Sequence, residues 1–323
     1  MNFKVAFMLL LLSAVGQALA EVATTDSFNG FIKQMVKQHR FNETELRSLF
    51  KAVNIQQPIL DAMSKPAEGK PWFQYREIFM TEARIAGGVQ FWKDNEAALR
   101  QAEHQYGVPA DIIVAIIGVE TKYGAHTGKY RVIDALATLG FAYPPRSEFF
   151  LKELEQFLVL AREEGMDPLQ PMGSYAGAMG LPQFMPSSFR SYAKDLDGDG
   201  KRNIWTNPAD AIASVANYFA SNQWKPGGPI AYPVNAAGEA YKKALSKGVK
   251  PDTSAAELRK LGVELPAGLP AGEAVKLLAY QQQIGEDLWI GLHNFYVITR
   301  YNHSPLYAMA VYQLSQAIAA RKL

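Results

Sequence analysis

The most constraining stretch of the chain runs from Pro109 to Gly124, PADIIVAIIGVETKYG. Pro109 suits the first turn of a helix, where its missing N–H costs nothing. Asp111 follows in that turn, where the helix dipole favours negative charge. Ile112, Ile113, Val114, Ala115, Ile116, Ile117 and Val119 then occupy every face. A helix that is apolar all round is a buried helix. At its end sits one carboxylate, Glu120, and Gly124 is expected to close the turn as the stop residue. Desolvation at such a place disfavours the charged form and raises the pKa. That is how a carboxylic acid stays protonated near neutral pH as a proton donor. The alternative is a Glu paired with Lys122 or Arg131 at a helix end.

The chain around this helix reads as mainly helical. Asp26–Ser64 has apolar residues at helical spacing, and Asn42-Glu43-Thr44-Glu45 opens a helix within it. Residues 65–71 (KPAEGKP) form a linker. Two helical stretches are expected from Trp72 to Tyr106, broken near Gly87-Gly88. Two more surround the turn Tyr143–Arg146, and Pro208–Trp224 is helical again. Between these lies Met172–Ser188, dense in Gly, Ser and Pro. From Lys225 to Trp289 the composition shifts to Pro and Gly, and Ile230–Val234 and Val275–Tyr280 are candidate strands. Helix returns from Ile290 to Leu323.

The carboxylates limit the chemistry. Hydrolysis of a sugar polymer normally uses two of them, flanking the bond. No acidic residue occurs in Met172–Ser188 or Asn294–Asn302, and Asp134 and Glu148 lie on helices with ordinary surface alternatives. If Glu120 works alone, the substrate must supply the nucleophile, for example through a 2-acetamido group. Tyr75, Tyr123, Tyr175, Phe184, Tyr218, Tyr301 and Tyr307 are aromatics that suit either a core or a sugar-binding cleft.

A second motif runs from Asp195 to Asn203, DLDGDGKRN. Asp195, Asp197 and Asp199 stand at positions 1, 3 and 5 of an EF-hand loop, Gly200 at 6, the carbonyl of Lys201 at 7 and Asn203 at 9. Position 12 is Thr206, where a bidentate Glu is expected, so Asp210 is the candidate to close the site. A structural calcium ion is the expectation; an Asx-rich turn without metal is the alternative. Zinc is disfavoured, since the 5 His residues show no HExxH spacing and there is no Cys. There is no P-loop, dinucleotide fingerprint or nucleophile elbow. A net charge of +2 gives no argument for nucleic acid.

The N-terminus reads as a secretory signal. Lys4 precedes the apolar run Val5–Leu12, and Ala18-Leu19-Ala20 offers a cleavage site after Ala20. The run is too short for a permanent span. The expectation is a soluble protein outside the cytoplasm.

Three segments together resemble one family: Gly118–Gly124 (GVETKYG), Ser174–Phe189 (SYAGAMGLPQFMPSSF) and Asn294–Asn302 (NFYVITRYN). They are similar to the B-type lytic murein transglycosylases of Gram-negative bacteria, over nearly the whole mature chain. The resemblance implies a mainly α (α+β) fold, with a lysozyme-like transglycosylase core, an N-terminal helical domain and a small inserted α+β subdomain. The expected division is signal 1–20, N-terminal helical region 21–71, catalytic core 72–224 with the EF-hand-like loop 195–210, insertion 225–289, and C-terminal helices 290–323. It implies cleavage of the β-1,4 bond between N-acetylmuramic acid and N-acetylglucosamine without water, leaving a 1,6-anhydromuramoyl end. Glu120 matches the single acid, which then serves as base on the C6 hydroxyl. Tyr75, Arg146, Ser174, Gln183, Tyr218, Tyr301, Asn302 and Tyr307 match the glycan-binding cleft. Ser174 and Gln183 would bond the sugar or the catalytic carboxylate, and Arg146 a lactyl or peptide carboxylate.

The implied partners are peptidoglycan glycan strands, then cell-wall synthases or other murein enzymes, approached as a monomer, with no organic cofactor and no nucleic acid. Two departures stand out. Leu181-Pro182 replaces the Tyr-Gly of some members, and Pro stiffens the loop there. The Cys that carries the lipid of many members is absent, so no membrane anchor is expected. A hydrolytic muramidase, or a non-catalytic peptidoglycan-binding protein, is the competing reading.

Overall fold

The computed structural model describes residues 26–64 and 69–322. The expected signal peptide, and most of the linker 65–71, lie outside the described residues. Helix makes up 56% of the described residues, with a small sheet region, so the mainly α class holds. The chain forms two compact units, each from separated segments.

The first unit takes in residues 26–64, 126–191 and 200–206. Three N-terminal helices are Asp26–His39, Glu43–Phe50 and Gln57–Met63; the second is capped by Asn42, whose Oδ1 accepts the Glu45 N–H at 3.1 Å. They share their core with residues 126–191. Phe28, Phe31 and Phe50 meet Phe141 edge to face at 5.7, 5.8 and 6.4 Å between ring centroids. Buried Asp134 accepts the Asn54 N–H at 2.9 Å and binds Arg131 through both carboxylate oxygens. Helices Val132–Ala142 and Ser147–Glu163 flank a short 3-10 turn at Pro144–Arg146. Strands β1 (Tyr130–Arg131) and β2 (Met172–Gly173) pair antiparallel. Single bridges then join Gly173 to Met179 and Met179 to Phe184.

The second unit takes in residues 69–125, 192–199 and 207–322. Its centre is the helix Ala110–Thr121, with Ile112–Gly118 buried. Pro109 stands one place earlier than expected, as the N-cap in extended conformation. The stop is also different. Lys122, not glycine, takes the left-handed conformation (φ 50°), and Tyr123 repeats it (φ 60°) before Gly124. Such backbone is sterically unfavourable for side chains beyond glycine and persists where surrounding contacts fix it.

The expected break at Gly87-Gly88 does not occur. Three helices span this stretch, Trp72–Phe79, Glu82–Asp94 and Glu96–Tyr106, and the glycine pair lies inside the second. The reason is the Tyr123 side chain. A Cβ on Gly88 would lie 2.6 Å from the Tyr123 hydroxyl and one on Gly118 2.5 Å from it. The glycines keep helical backbone and give up side chains to admit a ring, rather than ending the helix.

Residues 231–291 form a five-stranded antiparallel sheet, order β4-β6-β7-β3-β5, from β3 (Ala231–Ala236), β4 (Thr253–Ser254), β5 (Val263–Glu264), β6 (Ala274–Gln281) and β7 (Glu286–Gly291). Both expected strands are present, as β3 and β6. Val234, Leu258, Val275, Leu277 and Ile290 make a core of their own. Helices His293–Tyr301 and Pro305–Lys322 follow, the latter packed on the central helix.

Candidate active site

Glu120 occupies the last turn of the central helix and is half-buried. The Tyr307 hydroxyl donates to its Oε1 at 2.5 Å, across 187 residues of sequence. Burial pushes the Glu120 pKa from 4.5 up to about 7, with the Tyr307 hydrogen bond pulling the other way. Neither Lys122 nor any other cation pairs with Glu120 among the described residues. Arg131, the other candidate partner, binds Asp134 at 2.8 Å. The helix-end ion pair is therefore replaced by a desolvated carboxyl held by a phenol.

Tyrosines surround it. Tyr75, on Trp72–Phe79, is shifted upward by burial and then by the charge of Glu120. Buried Tyr307, and Tyr301 at the end of its helix, are raised well above the ordinary phenol value, by burial first and by Glu120 second. Tyr301 lies 4.8 Å from the Tyr218 ring, edge to face. The Tyr218 hydroxyl donates to the Arg300 carbonyl at 2.6 Å, and its pKa is pushed up to about 12 by burial. Such phenols stay protonated at neutral pH, so Glu120 is the one group of this cluster placed to exchange a proton there. Asn302 caps the same helix in extended backbone and is exposed.

Arg146, Ser174 and Gln183 belong to the first unit. Arg146 is exposed, its guanidinium 4.5 Å from the Phe149 ring centroid. The Ser174 hydroxyl accepts the Ala178 N–H at 3.0 Å and the Ala176 N–H at 3.3 Å, which shapes the loop itself. Gln183 is left-handed (φ 51°), and its Nε2 donates to the carbonyls of Gly180 (2.9 Å) and Thr127 (3.2 Å). Leu181 is buried and its N–H donates to the Ile204 carbonyl at 2.9 Å, so Leu181-Pro182 anchors the turn that precedes Gln183.

The two other carboxylates weighed as a second acid are committed elsewhere. Asp134 is buried against Arg131, and exposed Glu148 pairs with Lys152 at 2.8 Å. No second carboxylate contributes to the shift at Glu120. Residue patterns missed the positioning part played by Tyr123, whose hydroxyl donates to the Arg84 carbonyl at 2.8 Å. Three helical glycines, Gly87, Gly88 and Gly118, were its signal.

At the EF-hand-like loop, one carboxylate oxygen each from Asp195, Asp197 and Asp210 lies within 4.8 Å of the others. The loop is held open by its own backbone: Asp195 accepts the Gly198 N–H (2.7 Å), Asp197 the Asp199 N–H (3.3 Å), and buried Asp210 the Leu196 N–H (2.8 Å). Gly198 (φ 77°) and Gly200 (φ 84°) supply the left-handed turns. Asp199 lies in the second unit with these three, and Lys201 in the first. Three oxygens so close repel one another unless a hard cation sits among them, and an all-oxygen donor set suits calcium.

A family model described as the transglycosylase SLT domain matches residues 23–316. The membrane-bound lytic murein transglycosylase B of Escherichia coli (strain K12) is 44% identical over 319 residues, covering 96% of this chain and 87% of the relative. Among solved structures, the soluble lytic transglycosylase SltB1 from Pseudomonas aeruginosa is 52% identical, with a TM-score of 0.87 over 90% of this chain and 98% of that one. The Escherichia coli lytic transglycosylase Slt35, solved in complex with calcium, is 44% identical with a TM-score of 0.86 over 93% and 95%.

Proposed function

The chain belongs to the transglycosylase SLT domain family and is a peptidoglycan lytic transglycosylase; from that premise we propose that Glu120 alone performs its acid–base chemistry. The carrying observation is a carboxyl with a pKa near 7, fixed at Oε1 by Tyr307 and free of any charged partner among the described residues. Protonated Glu120 gives its proton to the glycosidic oxygen as the bond from C1 of N-acetylmuramic acid breaks. The carboxylate left behind takes the proton of the C6 hydroxyl, whose oxygen bonds to C1 and closes the 1,6-anhydro ring. No water is consumed, which fits the lack of a second acid to activate one.

Tyr75, Tyr218, Tyr301, Asn302 and Tyr307 are assigned to the glycan strand on the side of Glu120. Arg146, Ser174 and Gln183 are assigned as glycan-binding residues of the other unit. Asp195, Asp197 and Asp210 are assigned as ligands of a structural calcium, which would neutralise their mutual repulsion and brace the start of helix Pro208–Ser221. We also assign residues 1–20 as an export signal delivering a monomeric periplasmic protein. The chain has no cysteine for a lipid, and no described helix is long and apolar enough to cross a membrane. An intact mass beginning at Glu21 checks the cleavage. Its partners would be glycan strands and, beyond them, synthases or other murein enzymes.

The test is mass spectrometry of soluble products from purified peptidoglycan. Muropeptides lighter by one water than reducing-end products, absent with Glu120→Gln, are the expected result. Reducing ends would mean hydrolysis and a second acid. Wild-type turnover by a folded Glu120→Gln protein would remove Glu120 from the mechanism.

A further inference from the structure

A hollow of about 460 Å³ lies beside the helix Trp72–Phe79, within the second unit. That is the size range of small-molecule sites, roughly 300–1,000 Å³. The catalytic reading uses none of the side chains that line it. Its aromatic wall is Trp289. On β7, Leu288 and Ile290 turn to the sheet's own core, so Trp289 and Asp287, alternate residues, face the other way into the hollow. Trp289 is half-buried, and Tyr312 supports it edge-on at 6.3 Å.

Around this ring stand planar polar side chains joined in pairs by single hydrogen bonds. Arg76 Nε donates to Gln313 Oε1 at 2.8 Å, and Gln282 Nε2 donates to Asp287 Oδ2 at 2.6 Å. Each pairing fixes a side chain and leaves further donors or acceptors over: four more N–H on the guanidinium, the amide nitrogen of Gln313, and the amide oxygen of Gln282. The single cation and single anion balance, so the lining asks for a neutral ligand. A half-buried indole beside paired planar polar groups suits a pyranose, which has a flat C–H face and an equatorial rim of hydroxyl and amide groups.

One helix, Trp72–Phe79, contributes to both the hollow and the catalytic cluster. Arg76 lines the hollow, and the residue before it, Tyr75, feels the charge of Glu120. Resting on the transglycosylase reading above, we propose that this hollow is a distal saccharide subsite. It holds an N-acetylhexosamine of the glycan strand, remote from the bond cleaved at Glu120, against Trp289, Arg76 and Gln282. It anchors long strands and takes no part in bond breaking.

The test compares Trp289→Ala and Gln282→Ala with wild type on two substrates: long uncross-linked glycan strands and a tetrasaccharide. Loss of a stacked ring or of a paired amide is worth ~1–1.5 kcal/mol, so KM on long strands should rise about tenfold for Trp289→Ala. It should rise several-fold for Gln282→Ala. In both, kcat on long strands and all constants on the tetrasaccharide should stay as in wild type. Equal effects on both substrates would mean damage to the Tyr75 helix, and no effect on long strands would mean no subsite; either overturns the proposal. Calorimetric titration of Glu120→Gln protein with long strands, with and without Trp289→Ala, separates the two ideas. Weaker binding by the double variant supports the subsite even if Glu120 should prove dispensable for turnover.

Discussion

Two acidic centres of the second unit put the same functional group to opposite use. Glu120 is a lone carboxyl at the end of an apolar helix, among phenols, and burial pushes its pKa up to about 7. Asp195 and Asp197, on a glycine-turned loop, and Asp210, in the first turn of the helix Pro208–Ser221, bring one carboxylate oxygen each within 4.8 Å of the others, and backbone N–H groups of the loop donate to them. One environment withholds compensating charge and makes a proton donor. The other gathers charge and asks for a cation. What differs is the number of neighbours and the dipoles aimed at them, not the residue chemistry.

The sharpest break in that contrast is Glu120→Gln, which keeps the shape and removes the proton. Turnover of peptidoglycan should fall by about 10²–10⁴-fold or more, with the far-ultraviolet circular dichroism unchanged. In wild type, kcat/KM should fall as pH rises through about 7, because the proton is lost from the free enzyme there.

Calcium should act on the other centre alone. At one hundred times its dissociation constant it should stabilise by ~2.7 kcal/mol, a rise in melting temperature of ~5 °C over a chelated sample. Asp210→Asn keeps an oxygen for the Leu196 N–H and should abolish the rise. An unchanged melting temperature for wild type in millimolar calcium would leave the loop an Asx turn.

Glu120→Gln should also change stability, in a pH-dependent way. Below pH 4.5 the carboxyl is protonated in both folded and unfolded chains, and the substitution does little. Between 4.5 and about 7 the unfolded chain ionises first, so wild type loses stability as pH rises. Above 7 the loss is complete, at most ~3 kcal/mol and less for a half-buried group, so the variant should be ~1–3 kcal/mol more stable at pH 8. Urea unfolding at pH 4 and pH 8 measures it. A variant no more stable at pH 8 would show that Glu120 ionises freely.

The smallest effect belongs to Tyr307→Phe. Its hydroxyl holds the Glu120 pKa down, so removing it should move the alkaline limb of kcat/KM to higher pH, with a several-fold loss of rate from a less fixed carboxyl. A limb that moved downward would reverse the assigned sense of that hydrogen bond.

Much of this was legible in residue patterns. The apolar run 112–119 gave the buried helix, and its terminal carboxylate the candidate acid. The spacing of Asp195, Asp197 and Gly200 gave the loop, and Asp210 was already marked as its closing residue. The misreadings came from glycine. Gly87-Gly88 looked like a break, since local propensity cannot see that a tyrosine from elsewhere fills the space. Gly124 looked like the stop, yet Lys122 takes the left-handed position. Ser174 and Gln183 match residues that bond the sugar or the catalytic carboxylate, and the fold adds what no local pattern shows: each also holds its own loop in shape.

By itself, then, the sequence determined what depends on near neighbours: helix period, the oxygen spacing of a cation loop, and the absence of any acidic residue from Met172–Ser188 and Asn294–Asn302 that leaves Glu120 as the candidate acid. Only the tertiary structure decided which phenol reaches Glu120 from 187 positions away. It also decided that the N-terminal helices share a core with residues 126–191, and that Trp289 on a strand and Gln313 on a helix border one hollow. The physical reason is range. Backbone preference is set within a few residues, whereas desolvation and side-chain pairing are set by whatever the folded chain brings within a few ångströms, at any separation in sequence.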